Sequence, residues 1–378
     1  MHKRNIVLLC LITFLQGMVF YAAVATLYRQ AAGLSIFEIT AIEGISVGLA
    51  LALEVPWGRV AERIGYRRTM IICNLLFLFT KLVFWRAESF AVFLFERLLL
   101  AVVISGLSGV DAAMLFMSAP KEHAQRNGGW YRAAGEAGVL LAGLLYTVFL
   151  SGRYRDAAFW TMITYALAAV LTFFLSEVKS EEQPETRHFR ALAKAHFCIP
   201  GMLKLAICMA LFSESVHCVT IYFSQLQYLR CGMSERMIGA AFIFVSAAGL
   251  CGPLAAYLSR RTGLWLLLSS VLCAGLLALT DIAILSVILI VLLSALCALF
   301  MPLAGALENS LITTADRATA LSLNAMIGDS LVVLLDLGLG RAADTSLPLA
   351  LALSAFCCLL AAVLFAGVPL KESMSATK

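Results

Sequence analysis

Nine ionisable side chains interrupt otherwise apolar stretches of this 378-residue sequence: Glu43, Glu96, Arg97, Asp111, Glu136, Glu214, His217, Asp329 and Asp336. A charged group placed at membrane depth costs about 2.5–3.5 kcal/mol on insertion scales, so each needs a partner or a task. Glu214 and His217 are three residues apart and share a helix face. Asp329 and Asp336, seven apart, share another. Arg97 calls for a carboxylate, and Glu43 or Glu214 could supply it. Apolar surroundings favour the neutral form of a carboxylic acid, which gives Glu43, Glu214 or Asp329 the chemistry to take up and release a proton. Gln16, Tyr21, Gln225 and Asn324 are the candidates for contacting a polar solute; their ordinary role would be hydrogen bonding between helices. No metal-ligand spacing, nucleotide loop or Ser/His/Asp grouping accompanies them, and the five histidines are scattered. The pattern therefore argues against an enzyme, a metal centre and a bound cofactor.

The elements that must position these groups are long apolar helices. The chain is 62% hydrophobic and only 13% charged, about half the charge of an ordinary soluble domain. Its mean hydropathy is +0.92. A bilayer core needs about 20 apolar residues per helix. Runs near 5–28, 37–57, 69–87, 90–115, 131–150 and 158–177, then 201–224, 236–257, 264–280, 282–306, 320–341 and 347–369, predict twelve spans. Eleven cysteines lie mostly inside these runs and read as small packing residues. Pro253 and Pro302 are expected to bend spans 8 and 10.

Most of the 28 lysines and arginines fall in segments on the side of the N-terminus, which predicts both termini in the cytoplasm and a multi-pass protein of the cytoplasmic membrane. The basic residues form short clusters rather than a continuous face, so no nucleic-acid partner is expected. A polar stretch divides the chain into an N-terminal half (1–177), a linker (178–200) and a C-terminal half (201–378). The halves echo each other. Gly33-Leu34-Ser35 before span 2 returns as Gly232-Met233-Ser234 before span 8, and Arg63-Ile64-Gly65 returns as Arg261-Thr262-Gly263. Matches at nearly one offset, flanking equivalent helices, indicate a parallel duplication.

The segment from Gly58 to Arg68 (Gly58-Arg59-Val60-Ala61-Glu62-Arg63-Ile64-Gly65-Tyr66-Arg67-Arg68) resembles the loop 2–3 signature of the major facilitator superfamily, with Glu62 where Asp is usual. Arg97 in span 4 matches that superfamily's intramembrane arginine. The run from Asp316 to Ser322 resembles the loop 10–11 sequence of a bacterial, drug-exporter-like branch, although the G-x-x-x-G-P motif of drug antiporters is absent. The resemblance implies an all-α fold of two pseudo-symmetric six-helix bundles. It also implies a cytoplasmic gate built from Gly58, Arg59, Glu62, Arg63, Gly65, Arg67, Arg68, Asp111 and Arg317. In that gate Glu62 would face the helix starting near Thr319, and Arg59 or Arg63 would reach Asp111.

Residues and resemblance together lead to a secondary transporter, working as a monomer in membrane lipid by alternating access and driven by the proton motive force. Excess buried acid favours export of a cationic or amphipathic compound by proton antiport. Uptake of a sugar, amino acid or peptide by proton symport is the alternative, and a transport-inactive sensor or membrane enzyme a further one.

Overall fold

The computed structural model describes residues 3–118, 123–178, 201–312 and 317–368, and among these the regular elements are all helical. With almost no water to satisfy backbone polar groups in a bilayer core, a helix is the form that pairs them within one segment. Among the described residues, eleven helices are long and apolar enough to cross a membrane: Arg4–Ala31, Ile36–Leu53, Tyr66–Arg86, Phe90–Leu107, Arg126–Leu150, Met202–Arg230, Glu235–Tyr257, Arg260–Leu279, Ala283–Leu311, Leu323–Thr345 and Leu347–Ala366. Tyr154–Thr172 is the remaining span, the sixth in chain order. Twelve spans result, as expected. The linker at 179–200 lies outside the described residues.

Several spans are interrupted where the sequence suggests continuous helix. Span 1 stops at Gly17 and resumes after a short 3-10 turn at Ala22–Val24. Span 4 stops at Leu107, and Gly109, with φ of 80°, turns the chain into a second helix at Val110–Met117. Span 7 carries a π-helical stretch at Cys218–Phe223. Span 8 tightens to 3-10 over Gly249–Tyr257, around Pro253. Pro302 sits within the helix Ala283–Leu311.

Packing divides the chain into two compact units, Met1–Pro184 with Gln225–Ala247, and Glu185–Ser224 with Ala248–Lys378. In the first unit span 1 packs on spans 5 and 6, span 2 on span 4, and span 3 on spans 4 and 6. In the second, span 7 packs on spans 11 and 12, the end of span 8 on span 10, and span 9 on spans 10 and 12. Adding six to each number of the first set gives the second, which is what a duplicated bundle requires. Large apolar side chains such as Phe149, Trp160, Trp265 and Phe356 remain exposed, as lipid-facing residues must.

The connections repeat too. After span 1 the amide of Gly33 donates to Gln30 O (2.8 Å) and that of Leu34 to Arg29 O (3.2 Å); after span 7 Gly232 donates to Leu229 O (2.9 Å) and Met233 to Tyr228 O (3.0 Å). Gly33 and Gly232 have φ of 91° and 74°, a left-handed geometry that closes a helix end cheaply only with glycine. Ser35 and Glu38 then cap span 2 reciprocally, each side chain accepting the other's backbone amide (3.1 and 2.8 Å). We call the side of these two turns the far face and the side of the N-terminus and Gly65 the near face.

Candidate transport site

The first unit holds two pairs of opposite charge in its interior. Arg97 on span 4 hydrogen-bonds the Glu43 carboxylate on span 2, and Ser46 Oγ donates to the Arg97 carbonyl (3.2 Å). Of the two acids that sequence leaves open for Arg97, the structure brings it Glu43. One helical position away, Glu96 points elsewhere. Its side chain is 1% exposed and lies 3.9 Å from Lys81 on span 3, itself 6% exposed. Lys81 donates to Tyr21 OH (3.2 Å), and the rings of Tyr165, Phe77 and Tyr21 stand 5.1, 5.2 and 5.9 Å from its Nζ. Aromatic faces at such distances attract a desolvated cation. Lys81, near the end of span 3, is buried in the bundle. Arg29 is buried beside them, over the Phe84 ring at 5.7 Å.

The second unit is different. Glu214 on span 7 meets His217 Nδ1 at 3.0 Å, through the shared helix face that their spacing predicts. Cys218 stands between two acids, its Sγ 3.4 Å from Glu214 and 3.6 Å from Asp336 on span 11, so that its one S–H can donate to either. The donor atoms of Glu214, Cys218 and Asp336 all lie within 4.8 Å of one another, and all three side chains are buried. Donors so grouped could hold a proton or another cation. His217 keeps 43% of its side chain exposed, at the rim of the group. Asp329, the other acid on that stripe of span 11, is half-buried. Buried Glu308 accepts a hydrogen bond from Asn324, whose amide also contacts Met202 Sδ at 3.1 Å.

The four candidates for solute contact are engaged within the protein. Gln16 donates to Asn74 (2.7 Å), Tyr21 receives Lys81, Asn324 holds Glu308, and Gln225 Oε1 accepts the backbone amides of Thr26 (3.0 Å) and Leu27 (3.2 Å). The reason is general: an amide or hydroxyl withdrawn from water costs free energy until it finds a partner. The broken segment of span 1, whose amides lack helical acceptors, supplies two of those partners. Glu136 is exposed.

At the near face, Gly65 has φ of 91°, and a Cβ there would meet the Glu177 carboxylate at 3.1 Å. Arg67 donates its guanidinium to Phe173 O (2.9 Å) and its amide to Glu177 (3.2 Å), tying loop 2–3 to the end of span 6. Arg63 and Arg68 are exposed. Asp111 accepts from Tyr131 OH (2.8 Å). The contacts expected of Gly58, Arg59, Glu62 and Arg317 fall on side chains outside the described residues. A cavity of about 670 Å³ opens on the far face, lined among others by Tyr28, Glu88, Tyr154 and Arg155. Neither Glu43 nor Glu96 lines it, and its charges are satisfied on the surface by pairs such as Arg155–Glu88.

Two duplicated bundles, with an arginine–glutamate pair in one and an acidic group in the other, invite comparison with known proteins. A family model described as Major Facilitator Superfamily matches residues 6–335. The chain belongs to the major facilitator superfamily. Solved structures of other superfamily members share the fold over nearly their whole length. The nucleoside transporter NupG, in a single-site mutant form, aligns with a TM-score of 0.81 at 14% identity, over 96% of this chain and 99% of that one. A D-xylose-proton symporter gives 0.75 at 15% identity, over 98% of each chain. The human organic anion transporter MFSD10 (TETRAN) gives 0.63 at 14% identity, over 96% of this chain and 99% of that one. No curated protein sequence matches the chain. Superfamily membership makes it an integral, multi-pass membrane protein with a transporter fold rather than an enzyme.

Sequence reasoning missed the Lys81–Glu96 pair, since nothing local links residues on separate spans. It also read Cys218 as packing, although its four-residue spacing from Glu214 was a usable signal for a shared face.

Proposed function

We propose that the protein is a proton-coupled secondary transporter that takes up a small, neutral, hydroxyl-rich solute by alternating access. It would act as a monomer in the cytoplasmic membrane with both termini inside, and Glu214 and Asp336 would carry the proton. The group formed by Glu214, Cys218 and Asp336 is the observation that supports this reading most. Two carboxylates within 4.8 Å of each other would repel by at least about 3 kcal/mol at an effective dielectric of 20. A proton held between them removes that repulsion, and the half-exposed His217 offers it a route from water. The Arg97–Glu43 pair gives the other bundle a charged interior that a conformational change could open and reform.

The fold neighbours include carriers named for a nucleoside and for D-xylose with a proton, which favours uptake over the export that acid content alone suggests. Fold does not fix ligand. Export of an amphipathic cation stays as a second reading because, among the described residues, the buried charged side chains of the second unit are all acids: Glu214, Glu308 and Asp336.

Purified protein in liposomes with an entrapped pH dye tests both. Uridine, D-xylose and tetraphenylphosphonium are added in turn under an imposed pH gradient. Proton flow in the same direction as uridine or xylose supports symport, and flow opposite to the cation supports export. Glu214→Gln and Asp336→Asn should each abolish solute-linked proton movement. Retention of that movement in both variants would remove this pair as the coupling site.

A further inference from the structure

On the far face, spans that belong to the second half by sequence are fastened to the first half. Glu235 opens span 8, and its two carboxylate oxygens accept from two phenols, Tyr154 OH on span 6 (2.6 Å) and Tyr146 OH on span 5 (3.3 Å). Tyr146 is fully buried. Next to it Arg236 Nε donates to Thr147 O (3.3 Å), a carbonyl in the π-helical end of span 5. The backbones come close enough that a Cβ on Gly239 would stand 2.5 Å from Thr147 Oγ1, and one on Gly143 would touch Phe242 and Ile243 at 3.2 Å. These contacts lie within the first compact unit, which takes in Gln225–Ala247.

We infer that Glu235 is a positioning residue, a latch that holds span 8 against spans 5 and 6 on the far face, and that the far side opens by releasing its two tyrosines. An acid at a helix start ordinarily faces solvent and stabilises the helix dipole. Glu235 instead spends both oxygens on partners from two other spans, with charge-assisted bonds that are about twice as strong as neutral ones. The glycines at 143 and 239 let the helices approach closely, with Phe242, Ile243 and Thr147 packed against them, and Glu235 adds a charged contact across this seam. Removing the carboxylate therefore frees it. The role rests on the alternating-access reading above, in which the far face is the outer one.

Proximity can be read without any solute. A Cβ on Gly239 lies 3.4 Å from that of Thr147, close to the separation of about 3.8 Å in disulfides. Thr147→Cys with Gly239→Cys is thus expected to cross-link on mild oxidation in liposomes, with the joined peptides identified by mass spectrometry against the native cysteines. Adding Glu235→Ala should slow that cross-linking by up to about tenfold, the change in closing equilibrium expected for one charged hydrogen bond. Tyr146→Phe with Tyr154→Phe should do the same, and Glu235→Gln, which keeps an acceptor, should slow it less. A rate unchanged by both Glu235→Ala and the double phenylalanine variant would overturn the latch. Should the cysteine pair disturb the seam, hydrogen exchange of the peptides over 146–154 and 235–247 tests the same contact. Exchange faster by several-fold in Glu235→Ala, at unchanged thermal stability, supports release, and unchanged exchange refutes it. Neither measurement depends on proton coupling, so failure here leaves the transport proposal to its own test.

Discussion

The two bundles pair their helices in the same order yet treat interior charge in opposite ways. In the first, two acids face bases across spans: Glu43 has Arg97 and Glu96 has Lys81. In the second, the buried acids meet neutral or titratable partners: Cys218 and His217 for Glu214, Asn324 for Glu308. Duplication preserved the packing, which depends on small and apolar residues at helix seams, and left the interior free to diverge. A compensated pair holds a bundle together, whereas a cluster of acids leaves room for a cation that comes and goes.

Removing one charge should therefore have opposite consequences in the two bundles. The largest effect is expected for Lys81→Met, which strands Glu96 in an apolar interior and should cost about 3–5 kcal/mol, read as lost thermal stability in detergent. Lys81→Met with Glu96→Gln should recover most of that loss; if it does not, the aromatic rings around Lys81 hold the site rather than the ion pair. Arg97→Met should cost about 2 kcal/mol, less because Arg97 and Glu43 side chains are 23% and 12% exposed. Glu214→Gln and Asp336→Asn, which relieve repulsion, should leave stability unchanged or raise it by up to about 1 kcal/mol while ending coupling. A destabilisation as large as that of Lys81→Met would mean that the second bundle is also held by charge.

The seams differ as well. A Cβ on Gly17 would stand 2.3 Å from Gly135 O, where span 1 meets span 5, whereas one on Gly328, where span 11 meets span 7, would touch Ala210 Cβ at a comfortable 3.8 Å. Gly17→Ala should accordingly destabilise by about 1–3 kcal/mol. Gly328→Ala should be neutral or gain up to about 1 kcal/mol from helix propensity. Chemical unfolding of the two variants side by side would show whether the equivalence of the seams ends at topology.

The parts of this molecule that sequence displays are those encoded within one helix or one turn. Apolar run length shows the spans, and the Gly33 and Gly232 segments show the duplication. The three-residue spacing of Glu214 and His217 shows their contact, because a helix brings such residues to one side. Pairing across spans leaves no comparable mark. Lys81 looks like an interfacial lysine because its depth depends on how span 3 packs, and Glu235 looks like an ordinary helix-start acid. The polar residues Gln16, Gln225 and Asn324 look available until their partners, among them the amides of a broken span 1, come into view. The break itself follows Gly17 with no proline to announce it.

The matched glycine turns at Gly33 and Gly232 carry a mechanical consequence. Each joins two spans through a single left-handed residue, with backbone bonds reaching across it, so neither connection has slack. At these ends spans 1 and 2, like spans 7 and 8, are riveted rather than tethered, so the helical segments on either side of each turn shift as one piece.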